Sequence, residues 1–186
     1  MLTGELMTSA TITDRLVALS RALIGRIKGG LAQVNVLVSM FFAGMNGSVV
    51  ADTATVGALV LPAMKKAGYP AAFSAAVTGV SSTIGGIIPP SIMMIVLANA
   101  TEISIASLFA AGIIPGILIG VVIMVINHYF AVKHNFERSD EPFSVRRAGK
   151  ELYRSSFALL IPLVLVGSVM GGVASVVEAG AITALV

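Results

Sequence analysis

Eleven residues, Ser81–Ser91, form the stretch whose composition departs most from its surroundings. Inside a long apolar segment they hold three consecutive hydroxyl residues, two adjacent glycines and the pair Pro89-Pro90. Proline lacks the N–H that a helix needs and biases the preceding residue away from helix, and glycine weakens a helix further. A helix is therefore predicted to break here, leaving backbone carbonyls and hydroxyls without helical partners.

A second polar interruption, Gly44–Ser48, separates two short apolar segments and is followed by Asp52. Carboxylates within apolar segments are costly and usually functional or paired. Asp52 is interpreted as a cation ligand, as a brace that accepts backbone N–H groups of the turn, or as an ordinary helix cap. A related string, Ser175–Glu178, follows another glycine pair and is typical of a structural repeat.

The chemistry available at these interruptions is that of oxygen ligands and helix ends. Carbonyl ends of broken helices suit Na⁺, and helix N-termini suit carboxylates. The chain has no cysteine, which excludes disulfides and thiol catalysis. It also has no nucleotide-binding or catalytic motif, so we expect neither an enzyme, a nucleic-acid partner nor a cofactor other than Na⁺.

The elements that position these residues are predicted to be membrane helices. Of 186 residues 56% are hydrophobic and 11% charged, and the mean hydropathy is +0.97. A soluble domain is about a quarter charged, so the composition predicts an all-α integral membrane protein.

The chain divides into five predicted segments. Residues 1–30 hold the end of a helix and an amphipathic interfacial arm, 31–67 a re-entrant hairpin, 70–132 the broken helix and a following transmembrane helix, 133–154 a cytoplasmic loop, and 155–186 the truncated start of a second repeat. The two arms of the hairpin are too short to cross a membrane singly. Since the last segment stops within a helical pattern, we expect the chain to be a fragment.

The positions of the basic residues support the hairpin independently. If 31–64 enters and returns on one side, all twelve Lys and Arg residues lie on that side and the loop at Glu102 lies opposite. The positive-inside rule makes the basic side cytoplasmic, whereas a single crossing by 31–64 would divide the basic clusters.

Several strings together resemble the large membrane subunit of tripartite ATP-independent periplasmic (TRAP) transporters. The resemblance runs over nearly the whole chain and rests on the following strings: Gly4–Met7, Gly29–Asn35, Gly47–Asp52, Pro62–Tyr69 and Ser81–Ser91. It implies a multi-pass bacterial or archaeal inner-membrane transporter of the elevator type, with two inverted repeats. It further implies sodium-coupled import of an organic acid, either a C4-dicarboxylate or a sialic-acid-like compound. A periplasmic binding protein would deliver this substrate, and a small membrane subunit would assemble with the large one.

By this resemblance one Na⁺ site lies between the hairpin tip and the helix break. The expected sodium ligands are Asn46, Gly47, Ser48, Ser81, Ser82, Thr83 and Gly85. The expected substrate-binding residues are Ser48, Pro89, Pro90 and Ser91. Asp52 and Glu178 are tip-bracing or ion-coupled carboxylates, with Asp52 favoured as a brace.

The chain departs from the family pattern at two places. A proline is expected where Gly86 stands, and a Thr-Pro-Thr-Glu-like string is expected where Ser175–Glu178 stands. Family members are more than twice as long, so a second half-site is missing. The alternatives are a proton-coupled transporter that uses Asp52 and Glu178, a channel-like module, or a truncated non-transporting assembly component.

Overall fold

The computed structural model describes residues 12–24, 27–136 and 145–185, and the regular secondary structure within these ranges is helical. The described helices are α1 (Ile12–Ile24), α2 (Gly30–Asn46), α3 (Val49–Lys66), α4 (Ala71–Ser82), a 3₁₀ helix (Thr83–Gly86), α5 (Ile92–Thr101), α6 (Ile105–Lys133), α7 (Val145–Met170) and α8 (Val176–Leu185). The all-α architecture predicted from composition is confirmed. The strings Gly4–Met7 and residues 137–144 lie outside the described residues.

Helices α2 and α3 form an antiparallel hairpin with a two-residue turn. Gly47 ends α2 with a φ of 58°, a conformation that glycine adopts without steric cost. Ser48 then caps α3, because its hydroxyl accepts a hydrogen bond from the Ala51 N–H at 3.4 Å. At the open end the Asn35 amide contacts the Met64 sulfur at 3.7 Å, so the arms run side by side over their length.

The interruption between α4 and α5 lies where the glycines and prolines predict it. The α-helix ends at Ser82, tightens into a 3₁₀ turn, and resumes at Ile92 after the non-helical residues 87–91. Thus α4 and α5 are two short helices in place of one long helix.

The main apolar core lies between the hairpin, α4 and α6, because each of these helices turns its branched side chains inward. Its buried members include Val36, Val38, Phe42, Val56, Val60, Met64, Val77, Ile84 and Ile123. A second, smaller cluster joins Phe109, Val169 and Ala179, and so packs α8 and the end of α7 onto the start of α6.

Among the described residues, α6 is the one helix that is long and apolar enough to cross a membrane by itself. It has 29 residues, and α7 is a second candidate if its two parts count as one span. Those parts, Ala148–Ser156 and Leu159–Met170, are inclined to each other by 57°. Pro162 accounts for the bend, since its ring removes a backbone hydrogen bond of the preceding turn.

Helix α1 packs on α2 and α7 through a narrow apolar face. Leu16 and Leu19 on this face are fully buried, whereas Arg15 and Arg21 are exposed. This basic helix therefore packs against other helices and leaves Arg15 and Arg21 exposed on its other face.

Three glycines on one face of α6 allow other segments to approach its backbone closely. A Cβ added to Gly112 would lie 2.5 Å from the carbonyl oxygen of Ile87, and one on Gly120 would lie 2.6 Å from the Met40 sulfur. A Cβ on Gly116 would overlap the side chain of Ile88. This glycine groove thus seats the non-helical residues 87–88 directly on α6.

Replacing Gly112 by alanine is expected to destabilise the protein by about 1–3 kcal/mol, because the new methyl group must displace a backbone carbonyl. Thermal unfolding of the purified protein in detergent measures the effect. Gly79→Ala is the matched control: no atom lies within 4 Å of its added Cβ. That variant should be neutral or gain up to ~1 kcal/mol from better helix propensity. Equal melting temperatures for Gly112→Ala and the unsubstituted protein would contradict the close approach.

Candidate functional site

The hairpin tip and the helix break meet through their backbones. The Ile92 N–H, the first of α5, donates a hydrogen bond to the Gly47 carbonyl at 3.1 Å. A side chain on Gly47 would overlap the Pro90 carbonyl, so this approach requires glycine. On the other side of the break, Gly85 lies beside the backbone of Ser48. A Cβ added to Gly85 would lie 3.7 Å from the Ser48 carbonyl oxygen. The hairpin tip and the helix break therefore lie against each other in the structure.

The break is stabilised by its own side-chain and backbone bonds. The Ser91 hydroxyl donates to the Gly86 carbonyl at 2.8 Å and accepts from the Met94 N–H at 3.4 Å. Ser91 thereby closes the loop and caps α5 at once. Pro89 and Pro90 are buried within this loop and are joined by a cis peptide bond.

A buried network of polar side chains lies between the hairpin and α4. The Asn35 amide donates to the Thr78 hydroxyl at 2.7 Å, and its carbonyl accepts from the Ser81 hydroxyl at 3.1 Å. Ser39 donates to the Ser81 hydroxyl at 3.2 Å, and Ser82 donates to the Thr78 carbonyl at 2.8 Å. Each of these side chains is 2% exposed or less, so the network connects α2 to α4 away from the surface.

Asp52 adjoins this network from α3 and is itself fully buried. The hydroxyls of Ser39 and Ser82 face its carboxyl group. Both hydroxyls also bond within the network, Ser39 to the Ser81 hydroxyl and Ser82 to the Thr78 carbonyl. Neither carboxyl oxygen has a hydrogen bond of good geometry to a described residue. A buried ionised carboxylate without a partner costs several kcal/mol, so this group needs a proton or a cation.

The helix-cap interpretation of Asp52 does not describe the structure. Ser48 caps α3, and the Asp52 N–H bonds to the Ser48 carbonyl at 3.0 Å as part of the helix. The carboxyl oxygens also accept no backbone N–H of the tip, since they have no described hydrogen-bond donor. Asp52 instead lies on the inward face of α3, four residues beyond the cap.

Glu178 has a different role from Asp52 and lies in a different place. Its carboxylate accepts hydrogen bonds from the N–H and the hydroxyl of Ser175, both at 2.8 Å. Its own N–H donates to the Ser175 hydroxyl at 3.3 Å, which completes a capping box at the start of α8. Glu178 is three residues after its serine and is exposed, whereas Asp52 is four after Ser48 and buried. The two acids therefore do not form a pair.

The remaining predicted sodium ligands, Asn46 and Thr83, lie at the hairpin tip and at the helix break. Asn46 is the half-buried last residue of α2, at the tip. Thr83 is exposed, and its hydroxyl donates to the Val80 carbonyl of its own helix at 2.7 Å. Among the three consecutive hydroxyl residues, the structure thus brings Ser81 and Ser82 together with Asp52 and leaves Thr83 outside.

Three residues of the network were missed by sequence reasoning, namely Asn35, Ser39 and Thr78. A signal for them is present: Asn35 and Ser39 are four residues apart in an apolar helix, and Thr78 stands three and four residues before Ser81 and Ser82. Such spacings place polar side chains on one helix face. Two polar faces on adjacent helices predict a shared buried network.

The chemistry of the site is that of a hard-cation or proton site. Carboxylate and hydroxyl oxygens are ligands for hard cations. No group of three or more His, Cys, Asp or Glu residues with metal-binding geometry occurs in the described part of the chain. The donor set around Asp52 therefore suits a monovalent cation or a proton rather than a transition metal.

Comparison of the amino-acid sequence with known proteins identifies its family. The family model for the tripartite ATP-independent periplasmic transporter, DctM component, matches residues 1–186. The sialic acid TRAP transporter permease protein SiaT of Haemophilus influenzae is 37% identical over 185 residues, covering 99% of this chain and 30% of that protein.

Two further relatives match the chain with similar sequence identity and coverage. The sialic acid TRAP transporter large permease protein SiaM of Vibrio cholerae is 35% identical, covering 100% of this chain and 43% of that protein. The C4-dicarboxylate TRAP transporter large permease protein DctM of Pseudomonas aeruginosa is 36% identical with the same two shares, 100% and 43%. The chain spans less than half the length of each of these relatives. It belongs to the DctM component family of TRAP transporters, whose named relatives are transporter permease proteins, and its described residues are helical as an α-helical membrane protein requires.

Proposed function

We propose that this chain forms part of the large membrane subunit of a sodium-coupled secondary transporter that imports an organic acid. The observation that carries the proposal is the fully buried Asp52, whose carboxyl oxygens lack a hydrogen-bond donor beneath the junction of tip and break. Relatives are named for sialic acid and for C4-dicarboxylate, which supports an organic acid as the substrate.

In this proposal Na⁺ neutralises Asp52 and binds the lone pairs of nearby oxygens. Ser39 and Ser82 also bond within the network, so their oxygens can turn lone pairs toward a cation. The cation site thus extends from the predicted tip ligands, Asn46, Gly47 and Ser48, down to the buried network. Gly85, next to Ser48, lines the same junction, and Thr83 contributes by its backbone rather than its hydroxyl.

The substrate carboxylate is proposed to bind at the start of α5. This helix end carries a partial positive charge, and the predicted substrate residues Ser48, Pro89, Pro90 and Ser91 surround it. Ser91 acts here by shaping the loop, because its hydroxyl is bonded to the Gly86 carbonyl. Cation and substrate then share the tip–break junction, and occupation of one site orders the other.

The remaining parts of the transporter are proposed from family membership. They are an elevator-type movement, an inverted second repeat with its own half-site, a periplasmic binding protein that delivers the substrate, a small membrane subunit, and multi-pass insertion in a bacterial inner membrane. The hairpin α2–α3 is proposed to be re-entrant, and α8 to belong to the second repeat. The string Ser48-Val49-Val50 supports this repeat, since Ser48 and Ser175 both cap the helix that follows them.

Sodium dependence is the first test of the coupling ion. Uptake of a labelled organic acid by proteoliposomes that contain the transporter and its binding protein should require an inward sodium gradient. In sodium-free buffer with an inward proton gradient, uptake should fall to background. Full uptake under the second condition would instead assign the neutralising ion of Asp52 as a proton.

The substitution Asp52→Asn tests whether the Asp52 carboxylate binds the coupling cation, because it keeps the shape of the side chain and removes its charge. The sodium concentration for half-maximal uptake should rise by at least about tenfold, a loss of ~1.4 kcal/mol of binding free energy. Glu178→Gln is the matched control and should leave this concentration unchanged, since Glu178 caps α8 at the surface. An unchanged sodium dependence in Asp52→Asn would refute the site.

Cysteine labelling tests the re-entrant hairpin, and the native chain has no cysteine to remove. Single cysteines at the exposed positions Arg21, before the hairpin, and Lys66, after it, should react with a membrane-impermeant maleimide only from the cytoplasmic side. A cysteine at Glu102 should react only from the periplasmic side. Labelling of positions 21 and 66 from opposite sides would mean that the hairpin crosses the membrane.

A further inference from the structure

A stripe of basic side chains runs along the first part of α7. Arg146, Lys150 and Arg154 are four residues apart, and all three are exposed. Residues at this spacing share one face of a helix, with a rise of ~6 Å from each to the next. The stripe therefore presents three cations in a row over about 12 Å of helix.

Helix α1 adds a fourth cation at one end of this basic stripe. The Arg15 guanidinium donates a hydrogen bond to the Arg154 carbonyl at 3.2 Å, and the buried Ser155 hydroxyl donates to the Arg15 carbonyl at 3.3 Å. These two bonds connect segments 139 and 140 residues apart in the chain. Arg15 is thus held beside Arg154 in a fixed arrangement.

The local acids neutralise these cations only in part. Glu151 lies 3.5 Å from the Arg154 guanidinium, and Asp14 is an exposed neighbour of Arg15. Four cations therefore face two carboxylates. Asp14 and Glu151 are the acidic residues of α1 and α7 in the described part of the chain, so these two helices leave an excess of positive charge.

A large amphipathic side chain is exposed on the face of the basic stripe. Tyr153 is 82% exposed and stands three residues after Lys150 and seven after Arg146, on the same side of the helix. The 57° bend after Ser156 turns this part of α7 away from the apolar direction of Leu159–Met170. Cations beside an exposed tyrosine, at a bend that leads into an apolar helical segment, fit the headgroup region of a bilayer.

We propose that Arg15 and the basic stripe bind the phosphate groups of anionic phospholipids, with Tyr153 inserted at the acyl boundary. The charge excess provides the attraction, and the adjacent tyrosine ring distinguishes a lipid from a soluble anion. Because α1 and α7 are bonded to each other, one layer of lipid headgroups anchors the two ends of the described chain together. This binding is independent of the sodium site around Asp52.

Native mass spectrometry of the purified protein tests the proposal. The protein is equilibrated in detergent with equal amounts of phosphatidylglycerol and phosphatidylcholine, and the retained lipids are counted. The unsubstituted protein should retain more phosphatidylglycerol. In the triple variant R146Q/K150Q/R154Q the ratio of the two lipids should fall by roughly threefold or more.

The matched control R21Q/K65Q/K66Q removes three exposed cations elsewhere and should keep the ratio of the unsubstituted protein. If the triple variant does not fold, the single variant K150Q should show a smaller fall, and R146K/R154K should show none. An unchanged ratio in the variants of the stripe, or an equal fall in the control, would overturn the proposal. Loss of a bound protein partner with unchanged lipid retention would assign the stripe to protein docking and would also overturn it.

Discussion

The hydrogen bond from the Ile92 N–H to the Gly47 carbonyl joins the two interrupted parts of this fold. It forms because Gly47 has no side chain and adopts a left-handed conformation, which brings its carbonyl within 3.1 Å of the first N–H of α5. That bond satisfies a donor that the broken helix would otherwise leave without a partner. The hairpin tip therefore serves as part of the helix cap of α5, and neither interruption has its observed structure without the other.

This junction determines what lies beneath it. With the tip held against the break, the inward faces of α2, α3 and α4 converge on Asn35, Ser39, Asp52, Ser81 and Ser82, all of them fully buried. The hydroxyls bond to one another and to helix carbonyls, and neither carboxyl oxygen has a hydrogen bond of good geometry to a described residue. A fold that places an acid in this position needs a positive charge there. This requirement links the packing of the hairpin to the proposed transport cycle.

The glycine groove of α6 supports the junction, and a separate contact pairs α1 with α7. Gly112 and Gly116 let the non-helical residues 87–88 rest on a long apolar helix, so the break is held without a helical backbone of its own. On the basic side, the bonds between Arg15 and residues 154–155 connect the beginning of the described chain to α7. These two contacts differ in character, since one is apolar and the other lies among exposed charges.

Local chemistry was sufficient to predict the interruptions themselves. Adjacent prolines and glycines remove helical hydrogen bonds wherever they stand, so the breaks near Gly47 and at residues 87–91 follow from the residue types alone. The all-helical architecture likewise follows from an apolar composition. The choice among the three hydroxyl residues at 81–83 did not follow, since it depends on which helix face meets the hairpin. Ser81 and Ser82 face α2 and α3, and Thr83 bonds to its own helix.

Asp52 and Glu178 show the same division between what the residue types predict and what helix packing decides. Ser48-Val49-Val50 and Ser175-Val176-Val177 each begin a helix, and the sequence by itself determined that a serine cap stands at both places. Only the tertiary structure decided what the following acids do. Glu178, three residues after its serine, reaches back to the cap, whereas Asp52, four residues after, points into the interior. One residue of spacing rotates a side chain by about 100° around a helix, and the helices that surround α3 turn that rotation into burial.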